Sequence, residues 1–83
     1  SVGRLDVIPV NCIAPDLLTL RDYRLIQGAD VILYDEAIPA ALLEYGRRDA
    51  RKRAVPDLAA KAGEAAADAL GRAERVVALV AAR

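Results

Sequence analysis

Ala29-Asp30-Val31-Ile32-Leu33-Tyr34-Asp35 is the stretch on which the fold of this chain turns. Four apolar residues in a row, Val31 to Tyr34, sit between two aspartates. An unbroken run of this length suits a central strand covered on both faces, since a half-exposed strand would alternate. Immediately upstream the signals are helical. Thr19 fits an N-cap, Asp22 stands three residues later as in a capping box, and Leu18 and Tyr23 have hydrophobic-staple spacing. Leu20, Tyr23, Ile26 and Gln27, widened by Leu25, form the predicted inner side of a helix that runs to about Gln27. Gly28 is the expected stop, in the left-handed conformation. Before that helix, Leu5, Val7, Ile8 and Val10 predict a short buried strand closed by Pro9, and residues 11–16 a loop stiffened by Pro15. Strand, helix and buried strand together make a βαβ unit.

Downstream the alternation continues. Pro39 can open a short helix through Leu42, Leu43 and Tyr45, ended by Gly46. Residues 50–55 predict a weak, charged edge strand, and Pro56-Asp57 starts a longer helix from Leu58 to Arg72. Leu58, Ala62, Ala65, Ala69 and Ala73 line one face of that helix, and their small side chains permit close approach to a sheet. Val76-Val77-Ala78-Leu79-Val80 is a second central-strand candidate. The order β-α-β-α-β-α-β predicts an α/β fold: one domain over residues 1–83, three layers, α/β/α, around a small, mostly parallel four-stranded sheet. In such a sheet ligands bind beyond the carboxyl ends of the strands, here residues 11–16, 35–38, the 54–56 junction and the residues after 80.

Composition narrows the function. With 83 residues and much of its 55% apolar content in alanine, the chain has a thin core that a partner or further protein would support. Twelve basic residues balance twelve acidic ones, which argues against a generic nucleic-acid binder. Neutrality also makes self-association plausible, and a homodimer is expected. No histidine is present and Cys12 is the single cysteine, so no zinc-type cluster or intrachain disulfide can form, and no metal site is expected. No apolar run approaches the roughly 18 residues of a membrane span, and no secretion signal opens the chain, so the expectation is a cytoplasmic protein without membrane contact. Arg47, Arg48, Arg51, Lys52 and Arg53 form a basic run relieved only by Asp49. It reads either as a solvated strand end or as a site for an anionic ligand.

Two segments carry a resemblance. Pro15-Asp16-Leu17-Leu18-Thr19-Leu20-Arg21, followed by Ala29 to Asp35, resembles the tetrapyrrole (corrin/porphyrin) methylase family, in particular its uroporphyrinogen-III C-methyltransferase and sirohaem synthase branch. The family pattern has a strand, a GxGPGDP loop, ELLTLRA, a helix and ADVVLYD. A short helix, a strand leading to GKRxG, a longer helix and a KRVVRLKGGDP-type strand follow. Glu74-Arg75-Val76-Val77-Ala78-Leu79 matches the last of these, and the resemblance covers about the first third of a complete member. It implies S-adenosylmethionine as cofactor, a ring-carbon methyl transfer to an anionic tetrapyrrole, a dimer, and a second domain that this stretch does not include.

The departures lie at the cofactor loop. At the GxGPGDP positions stand Pro9, Val10, Asn11, Cys12, Ile13, Ala14 and Pro15, without a glycine and without the aspartate. Ile13 is β-branched and disfavours the positive φ that such glycines allow. GGDP is absent after the last strand. By the resemblance Asp35 falls on the LYD aspartate, near the substrate region, with the cap of a helix beginning near Ile38 or Pro39 as its alternative role. Lys52 and Arg53 partly match the KR pair, and their charge suits tetrapyrrole carboxylates. Cys12 stands at a family proline and reads as a small hydrophobe or a reactive thiol, Tyr34 as core or interface, and Pro15 as a loop brace. These residues are compatible with two functions: a methyltransferase domain inactive in isolation, and a non-catalytic dimerising or regulatory module built on the same fold.

Overall fold

A computed structural model of the chain describes residues 2–82. Four strands, β1 (Arg4–Asn11), β2 (Val31–Tyr34), β3 (Arg51–Ala54) and β4 (Arg75–Ala82), alternate with three helices, α1 (Leu20–Gly28), α2 (Ala40–Leu43) and α3 (Leu58–Gly71). The sheet is wholly parallel, in the order β1-β4-β2-β3. β2 and β4 are therefore the interior strands. Ile32, Leu33, Val76, Ala78 and Leu79 are almost completely withdrawn from solvent. On one face Ile8, Val10, Ile32, Val77 and Leu79 pack with Ile26 of α1 and Leu42 of α2. On the other, Val31, Leu33, Val76, Ala78 and Val80 pack against Leu58, Ala62, Ala66 and Ala69 of α3. The expected three layers are present.

Several local expectations need correction. Pro9 does not close the first strand, which continues to Asn11. Arg4 donates its N–H to Glu74 on the β4 side, so by alternation Pro9 turns its nitrogen to the open edge, where no donor is needed. Gly28 does not adopt a left-handed conformation. It is the last residue of α1, and Ala29 caps the helix in an extended conformation. Leu20 and Gln27 lie outside the predicted inner face, being exposed, and Ile26 is the buried contact of α1. Ala66 replaces Ala73 on the buried face of α3, because the helix ends at Gly71 and Ala73 turns left-handed at φ 58°. The capping box forms as read: Asp22 N donates to Thr19 Oγ1 and Thr19 N to Asp22 Oδ2, each at 3.1 Å. Among the described residues no helix is long and apolar enough to cross a membrane.

Candidate functional site

The strand order places a crevice at the carboxyl ends of β2 and β4, beside the amino end of α3. A cleft of about 440 Å³ opens there, lined by Asp35, Glu36, Ala37, Pro56, Asp57, Leu58, Ala59 and Ala81. Asp35 follows β2 directly and is half-buried. Its Oδ2 accepts the N–H of Ala81 at 2.9 Å and its Oδ1 that of Leu58 at 3.4 Å. The carboxylate therefore ties the end of β4 and the first turn of α3 to β2. The helix it caps is α3, and its link to Ile38 runs through the Asp35 backbone carbonyl, which accepts the Ile38 N–H at 3.0 Å. Asp57, at the cap position of α3, makes no side-chain cap bond and holds φ at 54°, a conformation aspartate tolerates better than most residues. Asp35, Glu36 and Asp57 make the lining acidic, suited to an electropositive group.

The neighbouring rim segment, after β1, is closed on itself. Asn11 Oδ1 accepts the N–H groups of Ile13 at 3.0 Å and Ala14 at 3.2 Å, and the Asn11 carbonyl also accepts from Ala14. This asparagine turn builds the loop without a glycine, and no residue from 9 to 15 has a positive φ. Ile13 projects into solvent at 97% exposure, while Cys12 is half-buried against the core beneath α1 and α2. Pro9 and Val10 belong to β1, and Val10 is fully buried. The Ile13 and Ala14 N–H groups, which a phosphate- or nucleoside-binding loop would present to its ligand, are consumed by Asn11. As folded, residues 9–15 do not fit a cofactor gripped through close backbone approach. An asparagine two and three residues ahead of those amides was the sequence signal for this turn.

Lys52 and Arg53 are not brought to Asp35. Both lie within β3, whereas the resemblance puts a lysine-arginine pair after the third strand, where Val55-Pro56-Asp57 stand here. Successive residues of a strand point to opposite faces. Arg53 turns toward α3, its guanidinium donating to the Ala65 carbonyl at 3.3 Å, while Lys52 Nζ reaches the Arg47 carbonyl at 3.3 Å on the other side. Arg47 is bound to Asp30 at 2.8 Å, and Arg51 and Arg72 share Glu74. Asp30 also accepts the Arg75 N–H at 2.8 Å, and this bond, with Arg47 behind it, holds its carboxyl below the ordinary aspartate range. Glu74 is lowered first by its hydrogen bond from Arg51. Tyr34 packs partly buried at the edge of the core. Among the described residues no group of three metal-ligating side chains converges.

Comparison with known proteins extends the geometry. The family model described as "Tetrapyrrole (Corrin/Porphyrin) Methylases" matches residues 5–82. The siroheme synthase of Methylococcus capsulatus is 63% identical over 38 residues, 46% of this chain and 8% of that protein. The siroheme synthase of Ectopseudomonas mendocina is 55% identical over 52 residues, covering 63% and 11%. That of Hydrogenovibrio crunogenus is 53% identical over 50 residues, covering 60% and 11%. Among solved structures, a cobalt precorrin-4 methyltransferase, a cobalamin biosynthetic enzyme, superposes with a TM-score of 0.74 at 21% identity over 93% of this chain and 33% of that one. The match is one of fold. The chain thus spans about a tenth of these siroheme synthases and a third of the structural neighbour.

Proposed function

The chain belongs to the tetrapyrrole (corrin/porphyrin) methylase family, and from that premise we propose that it is the N-terminal α/β part of a uroporphyrinogen-III-type C-methyltransferase, inactive in isolation. The observation that carries the reading is the acidic crevice at the ends of β2 and β4, with Asp35 fixed in its wall by two backbone amides. S-adenosylmethionine, the donor the family implies, supplies a methyl group on a sulfonium for a nucleophilic ring carbon. The role of this chain's own residues is narrower. Asp35 holds the crevice in shape and sets a negative charge in its wall. The loop from Pro9 to Pro15 does not fit that cofactor, so its grip has to come from a second domain or a second copy of the chain. Orientation and charge complementarity between the two halves would then carry the catalysis.

Calorimetric titration of the 83-residue chain with S-adenosylhomocysteine tests the inactivity. No heat is expected from a sample whose circular dichroism shows it folded. Binding near micromolar would overturn the claim that the 9–15 loop has lost the cofactor. Sedimentation addresses the second half: a dimer at high concentration is expected, and a lone 8.9 kDa species would leave the second domain as the missing part. The same closed loop also favours a second reading, a non-catalytic dimerising or regulatory module. That reading wins if the chain joined to a complete relative's second domain still binds no cofactor.

A further inference from the structure

β3 is an edge strand in which all four residues, Arg51 to Ala54, are exposed. Arg51 N donates to the Asp30 carbonyl and Val55 N to that of Tyr34, so the odd-numbered residues use their backbone groups toward β2. By alternation the N–H and C=O of Lys52 and of Ala54 point outward, unpaired by the sheet. Beside this edge, between β3 and α3, runs a groove of about 300 Å³ lined in part by Arg51, Arg53, Asp68 and Arg72. Its charges are unequal. Arg51 and Arg72 share the one carboxylate of Glu74, and among the described residues no carboxylate pairs with Lys52 or Arg53, whose contacts are backbone carbonyls.

We propose that this edge accepts an extended acidic peptide from a partner protein as a fifth strand. The backbone of the peptide would bond to Lys52 and Ala54. Its acidic side chains on the α3 face would meet Arg51 and Arg53 and enter the groove, and those on the other face would meet Lys52. Three features select this occupant. Directly opposed unlike charges stabilise a strand pair, whereas like charges destabilise it. A second copy of the chain would set Arg51-Lys52-Arg53 against itself, which disfavours the copy. The alternating donors and acceptors of Lys52 and Ala54 match a peptide backbone, to which a phosphodiester has no equivalent. An edge strand defended only by charge against non-specific pairing would need neither the groove nor the shared Glu74.

Fluorescence anisotropy of a labelled Glu-Val-Glu-Val-Glu peptide with the 83-residue chain tests the proposal, with its Lys-Val-Lys-Val-Lys counterpart as control. Saturable binding of the acidic peptide alone is expected, weakened about tenfold or more by Arg53→Glu. Ala54→Pro removes an outward N–H and leaves the β2–β3 ladder intact, so it should weaken binding comparably without lowering the melting temperature. A backbone N-methylated acidic peptide should lose binding as well. If the N-methylated peptide or an oligonucleotide binds equally well, the attraction is charge alone and strand addition is wrong. Absence of binding up to about 1 mM at low salt would also overturn it.

Discussion

Two aspartates bracket the central strand β2, and they do similar mechanical work with different electrostatic results. Asp30 stands before β2 and accepts the Arg75 N–H at the start of β4, and Asp35 stands after it and accepts the Ala81 N–H near the end of β4. Each therefore fastens β2 to β4 through a carboxylate oxygen at 2.8 and 2.9 Å. At the Asp30 end Arg47 closes an ion pair, and the Asp30 carbonyl receives Arg51 of β3. At the Asp35 end the second oxygen receives only the Leu58 amide, and no cationic side chain of the described residues pairs with it. The difference separates a structural knot closed by an arginine from a carboxylate held by backbone amides alone beside a cleft. In a parallel sheet the carboxyl end is where ligands sit, and the uncompensated charge stands at that end.

Truncating each aspartate should widen this contrast. Asp30→Ala removes an acceptor for a backbone amide and an ion pair together, with an expected loss of about 2–3 kcal/mol. Asp35→Ala loses one good and one long hydrogen bond, for about 1–2 kcal/mol. Urea denaturation of the two variants measures both values. Equal losses would mean that Arg47 contributes no more to the Asp30 knot than the long Leu58 bond does to Asp35. The reverse order would make Asp35 the principal structural clamp and weaken its assignment to a ligand wall.

Acid titration of stability sharpens the same point. The folded-state pKa of Asp30 lies below its ordinary value, chiefly through the Arg75 amide and then Arg47. Its contribution is fully present above the unfolded aspartate pKa of about 3.9 and is lost as the pH falls through the lower folded value. Glu74, lowered first by Arg51, adds to the loss in the same acid window. Melting temperatures of the wild-type chain should therefore fall steeply below about pH 4, and those of Asp30→Asn less steeply. Parallel curves would show that the Asp30 carboxylate is not the group being titrated.

How far these features could be read in the sequence follows from how far apart their partners lie. The capping box of Thr19 and Asp22 spans three residues, and both of its bonds form as the spacing required. Val31 to Tyr34 and Val76 to Val80 announce buried strands by composition alone, because a strand covered on both faces has no polar side. The charges at 51–53 correctly marked an edge. The aspartate clamps were not legible: Asp30 meets Arg75 across 45 positions and Asp35 meets Ala81 across 46. Those contacts exist only because β4 inserts between β1 and β2, and no local pattern specifies strand order. The same blindness assigned Asp35 to the wrong helix, since sequence proximity favours α2 while the sheet brings α3 to it. At the 9–15 loop the absence of glycine is plain in the sequence, but the substitute architecture rests on one side chain, Asn11, whose bonds to the Ile13 and Ala14 amides compete with other partners an asparagine can take.

The smallest test isolates the cation that distinguishes the two aspartates. Arg47→Ala leaves the bond between Asp30 and the Arg75 amide in place and deletes the ion pair. That pair is largely exposed, with side chains open to 41% and 32%, so solvent screens it and the expected loss is the smallest of the three. A double-mutant cycle with Asp30→Ala separates this coupling from the amide bond. Since Asp49 also lies 3.4 Å from Arg47, the cycle should be repeated with Asp49→Ala, which frees Arg47 to bind Asp30 alone. Coupling that falls with added salt is expected for a screened pair. Strong coupling indifferent to salt would show that the arginine is built into the knot. The two ends of β2 would then differ in how they are fastened as well as in charge, the Asp30 end by an amide and a cation, the Asp35 end by amides alone.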